Sequence, residues 1–122
     1  MAVRDGDSYI FKFDLHSDQS QIQVFEVLTP IGPIDHTCEI YFRGVQLYCR
    51  IICNPDKMSS CYKKIQLSRL ILGFQLFDYD TGQMEYSMEN STYKLGEEIM
   101  LFATGHLNID DDHDLQVKCD IF

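Results

Sequence analysis

Apolar and polar side chains alternate with a period of two in four separate stretches of this chain, and that pattern restricts it to extended structure. Tyr9, Phe11, Phe13 and Leu15 are interleaved with Ile10, Lys12 and Asp14. Because successive side chains of an extended backbone point to opposite faces, the large residues share one face and the charges the other. A half-buried strand follows. Val45, Leu47, Cys49, Ile51 and Cys53 alternate with Gln46, Tyr48, Arg50 and Ile52, and Leu70, Leu72, Phe74 and Leu76 with Ile71, Gly73, Gln75 and Phe77. Both carry apolar residues on each face, which predicts deeper burial. Leu115, Val117, Cys119 and Ile121, set against Gln116, Lys118 and Asp120, predict a final strand over Leu115 to Phe122.

Weaker strand signals lie at Gln21 to Leu28, Cys38 to Phe42, Cys61 to Leu67, Gln83 to Met88 and Glu98 to Ala103, where Tyr, Phe, Val and Ile are frequent. Residues that turn the backbone separate them: Pro30-Ile31-Gly32-Pro33, Arg43-Gly44, Asn54-Pro55-Asp56, Tyr79-Asp80-Thr81-Gly82 and Asn108 to Asp114. No dozen residues keep a 3.6 repeat, although Leu95 to Phe102 allows a short helical turn. Eight or nine short strands must bury their apolar faces on one another, so the expected fold is all-β, an antiparallel β-sandwich. With 122 residues, 45% of them hydrophobic, one domain over 1–122 has enough material for one core.

Composition narrows the function. No run approaches the roughly 20 apolar residues of a membrane helix, and Met1 to Asp7 is polar and acidic, so neither membrane insertion nor secretion is expected. A net charge of −9 repels phosphate backbones and anionic lipid, and nucleic acid is not an expected partner. The five cysteines, Cys38, Cys49, Cys53, Cys61 and Cys119, are odd in number and mostly sit among apolar neighbours, which fits reduced thiols in the cytoplasm or nucleus.

Cys49-x-x-x-Cys53, with His36, Cys38 and Cys61 near in sequence, has the residue types of a zinc site. Four extended steps of ~3.3 Å would hold its two thiols about 13 Å apart, too far to share an ion or a disulfide. Buried thiols are expected instead, with no metal and no cofactor. His16, His36, His106 and His113 form no helical ligand pair, and no nucleophile or phosphate-cradling motif occurs. Asp78-Tyr79-Asp80 before Gly82, and Asp110-Asp111-Asp112 with Asp114, have calcium-ligand chemistry, but Asp and Gly are also what a tight turn selects. An enzyme is not expected. Surfaces and sheet edges remain, and an exposed edge accepts an extended peptide as an added strand.

Three groups of segments carry a family resemblance. Gly6-Asp7-Ser8-Tyr9-Ile10-Phe11 with Phe13-Asp14-Leu15, the run Cys61-Tyr62-Lys63-Lys64-Ile65-Gln66-Leu67 through Leu72-Gly73-Phe74-Gln75-Leu76 to Met84-Glu85-Tyr86-Ser87-Met88-Glu89, and the close from Leu107 to Ile121 follow in order. Together they resemble the TRAF-like substrate-binding domain of the seven-in-absentia (SINA) ubiquitin ligases, with the MATH domain as the related alternative. The middle strand departs from that pattern at Gly73 and Gln75, tryptophan is absent, and Thr29 to His36 has no counterpart.

The resemblance implies a protein-interaction module that binds peptide segments of partner or substrate proteins and pairs with a second copy as a homodimer. It serves either as the recognition part of a ubiquitin ligase or as a stand-alone relative. Ubiquitin transfer would need a RING module that this sequence lacks. Its edge-strand mode points to Phe11, Phe13, Ile22, Val24, Phe25 and Val27 as peptide-binding residues, while the reading from the residues themselves is core, because alternating large apolar side chains in strands ordinarily pack inward. The competing expectations are a C2-like calcium- or lipid-binding sandwich, from the aspartate clusters, and a structural domain that assembles with itself.

Overall fold

The computed structural model describes residues 2–5, 8–15, 20–29, 32–53, 69–103 and 113–121. Nine strands run in order: β1 (Ala2–Asp5), β2 (Ser8–Leu15), β3 (Gln21–Thr29), β4 (Gly32–Arg43), β5 (Gln46–Cys53), β6 (Arg69–Asp78), β7 (Met84–Lys94), β8 (Ile99–Ala103) and β9 (His113–Ile121). They form a five-stranded sheet, β1-β2-β9-β6-β7, and a four-stranded sheet, β3-β4-β5-β8. All pairings are antiparallel. The expected all-β sandwich is the observed one.

The alternations point as their period requires. Tyr9, Phe11, Phe13 and Leu15 of β2, Leu47, Cys49, Ile51 and Cys53 of β5, Leu70 to Leu76 of β6 at every second position, and Leu115, Val117 and Cys119 of β9 are all buried. The two sheets meet ring against ring: Phe11 lies edge-on to Phe25 at 4.7 Å, and Phe74 and Phe102 are 5.8 Å apart. Such contacts across the gap close one continuous core.

Several sequence expectations are corrected. Val45 belongs to the turn before β5 and is exposed, because Gly44 (φ 64°) reverses the chain there. Leu95 to Phe102 forms no helical turn: Gly96 (φ 88°) turns the chain and donates its N–H to Ile51 O at 2.8 Å, and Ile99–Ala103 then pairs with β5 as β8. The open edge of β5 supplies partners that one turn of helix cannot match. Strand β4 runs back to Gly32 and pairs with β3 from Thr29↔Gly32 to Gln21↔Ile40, so Gly32 to His36, in the stretch without a family counterpart, is the start of a paired strand. The expected strand Cys61 to Leu67, the turn Asn54-Pro55-Asp56, Pro30, Ile31, His16, His106, Cys61 and Asp110 to Asp112 lie outside the described residues.

Gly73 reflects a packing constraint. Opposite it, β7 carries one residue more than β6, since partners jump from Leu72↔Ser91 to Phe74↔Met88. The Asn90 side-chain oxygen fills the place of a Cβ at Gly73, and the Met88 carbonyl lies 3.0 Å from that place. Gly73→Ala therefore turns the Asn90 side chain away and presses the β7 backbone outward by a few tenths of an ångström, and urea unfolding is expected to show a loss of about 1 kcal/mol. A wild-type midpoint in that variant would contradict the packing described.

At the opposite rim, the described residues of β1 pair with β2 from Ser8 to Phe11. The carbonyls of Lys12 and Asp14 beyond it accept hydrogen bonds from the Gln23 and Gln21 side chains of β3, at 2.7 and 2.6 Å. The two glutamines thus stitch β3 to β2 across the two sheets.

Candidate functional site

The outward faces of the two sheets differ in chemistry. On the five-stranded sheet, Lys12, Asp14, Gln75, Gln116 and Lys118 face solvent in full or in part. A shallow groove there is lined by polar groups, among them Gln75, Ser87, Asn90, Gln116 and Lys118. That is an ordinary wetted surface.

The four-stranded sheet turns Ile22, Val24, Tyr41, Tyr48, Ile52 and Met100 outward. Register places Tyr41 opposite Tyr48 and Tyr48 opposite Met100, while Val24, Thr37 and Ile52 make a second row. Ile22 and Val24 are 60% and 61% exposed and Met100 50%. The tyrosine rings stack at 5.7 Å with 15° between planes. The Arg43 guanidinium lies 5.8 Å from the Tyr41 ring centre and 5.4 Å from that of Tyr48, and Arg50 lies 5.8 Å from Tyr41. Both arginines are held in ion pairs, Arg43 with Glu98 and Arg50 with Glu39, each at 3.1 Å. Their charge is largely spent within the face, which leaves aromatic and aliphatic surface as its distinctive feature. Partial burial and the Glu98 carboxylate push the Tyr41 phenol above its ordinary value, so it stays neutral at physiological pH.

The six expected peptide-binding residues separate here. Phe11 and Phe13 are 0% and 1% exposed, and Phe25 and Val27 are buried beside them. These four are core, because their positions in β2 and β3 point between the sheets. Ile22 and Val24 occupy alternate positions on the other side of β3 and are open to solvent. Strand β3 is itself an edge, bonded only to β4 among the described strands.

A second cluster forms at one end of the five-stranded sheet. Asp78 ends β6, His113 begins β9 directly opposite it, and Glu85 lies near the start of β7. Partners run from Leu76↔Tyr86 to Phe77↔Met84, so Glu85 is the extra residue of a bulge. Its Oε2 reaches His113 Nε2 at 2.8 Å. The potential ligand atoms of Asp78, Glu85 and His113 all lie within 4.8 Å of one another. Asp78 Oδ1 accepts the backbone N–H groups of Asp80 and Thr81, both at 2.9 Å, which is the turn chemistry expected for this aspartate. Those bonds, with Thr81 first, hold its carboxyl below the usual range and keep it ionised. Sequence reasoning missed the trio because Glu85 and His113 are 28 positions apart. A bulge also breaks the alternation by which Glu85's direction is read.

The thiols of the described residues, Cys38, Cys49, Cys53 and Cys119, lie in the core. Cys38 and Cys49 on neighbouring strands bring their Sγ atoms to 3.9 Å, and Cys119 faces them from the other sheet. Burial, first of all, pushes the Cys38 and Cys119 thiols well above their ordinary value, so neither is a nucleophile at neutral pH. No protein-family model and no curated protein matches the chain.

Proposed function

We propose that this chain is a protein-interaction module that binds an extended segment of a partner protein along the β3 edge. One observation carries the reading: Ile22 and Val24, two β-branched residues at alternate positions of an edge strand, lie exposed beside the tyrosine-bearing outer face. A strand added beside β3 gains main-chain hydrogen bonds from the edge. Its alternate apolar side chains then cover Ile22 and Val24. Neutral apolar partners fit this face best, because its arginines are already paired. The TRAF-like resemblance of the sequence supports the same reading and would place the domain in the recognition part of a ubiquitin ligase or in a relative without RING. Catalysis has no part in this role.

Selection from a displayed library of random twelve-residue peptides tests it directly. Extended peptides with apolar residues at alternate positions are expected to bind wild-type protein saturably and to lose at least tenfold in affinity to Val24→Lys. The thermal midpoint of that variant should match wild type, since Val24 is solvent-facing. Failure to enrich any such peptide, or equal binding by Val24→Lys, would overturn the proposal. Light scattering on the same samples shows whether the edge instead pairs two copies.

A further inference from the structure

We propose that Asp78, Glu85 and His113 form a binding site for a divalent transition-metal ion, with zinc the best match to the donors. The set combines one imidazole nitrogen with two carboxylates, which suits zinc, whereas calcium and magnesium favour oxygen alone. Three strands supply one ligand each, so the site exists only in the folded chain.

Geometry supports the assignment. Donor atoms within 4.8 Å of one another need modest inward movement, as a tetrahedral ion with bonds of about 2.0–2.1 Å holds its ligands roughly 3.3 Å apart. The moving parts are the two carboxylates, for the His113 side chain is 7% exposed and that of Glu85 33%. The imidazole is thus a fixed anchor, presenting Nε2 to the space that both carboxylates approach. Glu85 reaches that space because the bulge re-aims it, a device common beside functional sites. Asp78 keeps its turn hydrogen bonds on Oδ1 while its second oxygen turns toward an ion. Three protein ligands at a partly open sheet end leave a fourth position for water or for a partner's side chain. The net charge of −9 favours cation capture.

The 122-residue chain, stripped of metal with chelator, is titrated with zinc chloride by calorimetry and melted with and without excess zinc. One equivalent is expected to bind, and zinc at a hundred times Kd should raise the midpoint by on the order of 10 °C. Glu85→Gln and Asp78→Asn are each expected to weaken binding at least tenfold, while the metal-free variants still unfold in one cooperative transition. Asn at position 78 retains the oxygen that caps the turn. His113→Gln should abolish binding, and cobalt(II) in place of zinc should give a visible absorption band that Glu85→Gln shifts. Absence of binding, or equal affinity in wild type, Glu85→Gln and Asp78→Asn, would overturn the proposal, the latter by placing the ion elsewhere. Neither result bears on the peptide edge, which shares no residue with this site.

Discussion

Phe11→Ala is expected to lose about 3–5 kcal/mol of folding free energy in urea unfolding, while Ile22→Ala and Val24→Ala each change it by less than about 0.5 kcal/mol. Phe11 is 0% exposed and sits edge-on to Phe25 at 4.7 Å, so truncation removes its burial and leaves a cavity between two sheets. Neither sheet can close that space alone, since backbone hydrogen bonds hold both strands in register with their neighbours. Against a typical domain stability of about 5–15 kcal/mol, the loss leaves a marginal fold. Ile22 and Val24 are more than half exposed, so truncating them gives up little buried area. The contrast separates two roles among the six residues named for peptide binding. A mild Phe11→Ala would mean that the sheets do not face each other as described.

Acid is expected to destabilise the protein through His36, with a slope of up to about 1.4 kcal/mol per pH unit below pH 6.5. His36 is fully buried, tilted against the Phe25 ring at 5.6 Å and opposite Cys53 across the strand pair. Its Nδ1 lies 3.0 Å from Ile34 O. A carbonyl only accepts, so the neutral ring carries its proton on Nδ1 and leaves Nε2 as an acceptor that no partner meets among the described residues. Protonation would create a second donor and a full charge in that apolar space. Burial lowers the folded-state value below 6.5, while the Ile34 carbonyl and the neighbouring Asp35 carboxylate oppose it more weakly.

The unfolded chain consequently binds more protons than the folded one in the interval beneath 6.5. Stability is complete above that value and declines as pH falls toward the folded-state value. Thermal melts from pH 7.5 to 5 should show the decline in wild type and a shallower one in His36→Leu, which cannot be protonated. Parallel curves for the two proteins would show that His36 does not carry the effect. The Asp78 carboxyl acts in a more acidic window, because its depressed value withdraws stability only as pH falls below the ordinary carboxylate range.

Much of this architecture was legible in the residues themselves. Where polar and apolar side chains alternate strictly, as in Tyr9 to Leu15 or Leu115 to Ile121, direction follows from the two-residue repeat without knowledge of any partner strand. Turn-forming Gly and Asp likewise placed the turns at Arg43-Gly44 and Tyr79 to Gly82. It failed where neighbours rather than local chemistry decide. The N-terminal half of β4 contains Asp35, His36 and Thr37, a polar run that no propensity favours as a buried strand. Pairing with β3 on one side, and at His36 and Thr37 with β5 on the other, nevertheless makes it one. The short helical turn that Leu95 to Phe102 allowed gave way for the same reason, while the strand expected at Glu98 to Ala103 formed against the edge of β5.

Alternation within a strand says that two faces differ, yet only the packing of sheets says which face is inside. Hence Phe11, Phe13, Phe25 and Val27 went to the core while Ile22 and Val24 stayed outside, although all six are large and apolar. The Asp78, Glu85 and His113 trio lies still further from sequence, for it needs a bulge, a strand register and three chain segments brought to one end. The amino-acid order by itself determined that this protein is built of extended strands, because a two-residue period is a property of the local backbone. Which side chains are buried, which edge is open and which charges meet were decided by the tertiary structure alone, since each depends on groups distant in the chain becoming neighbours in space.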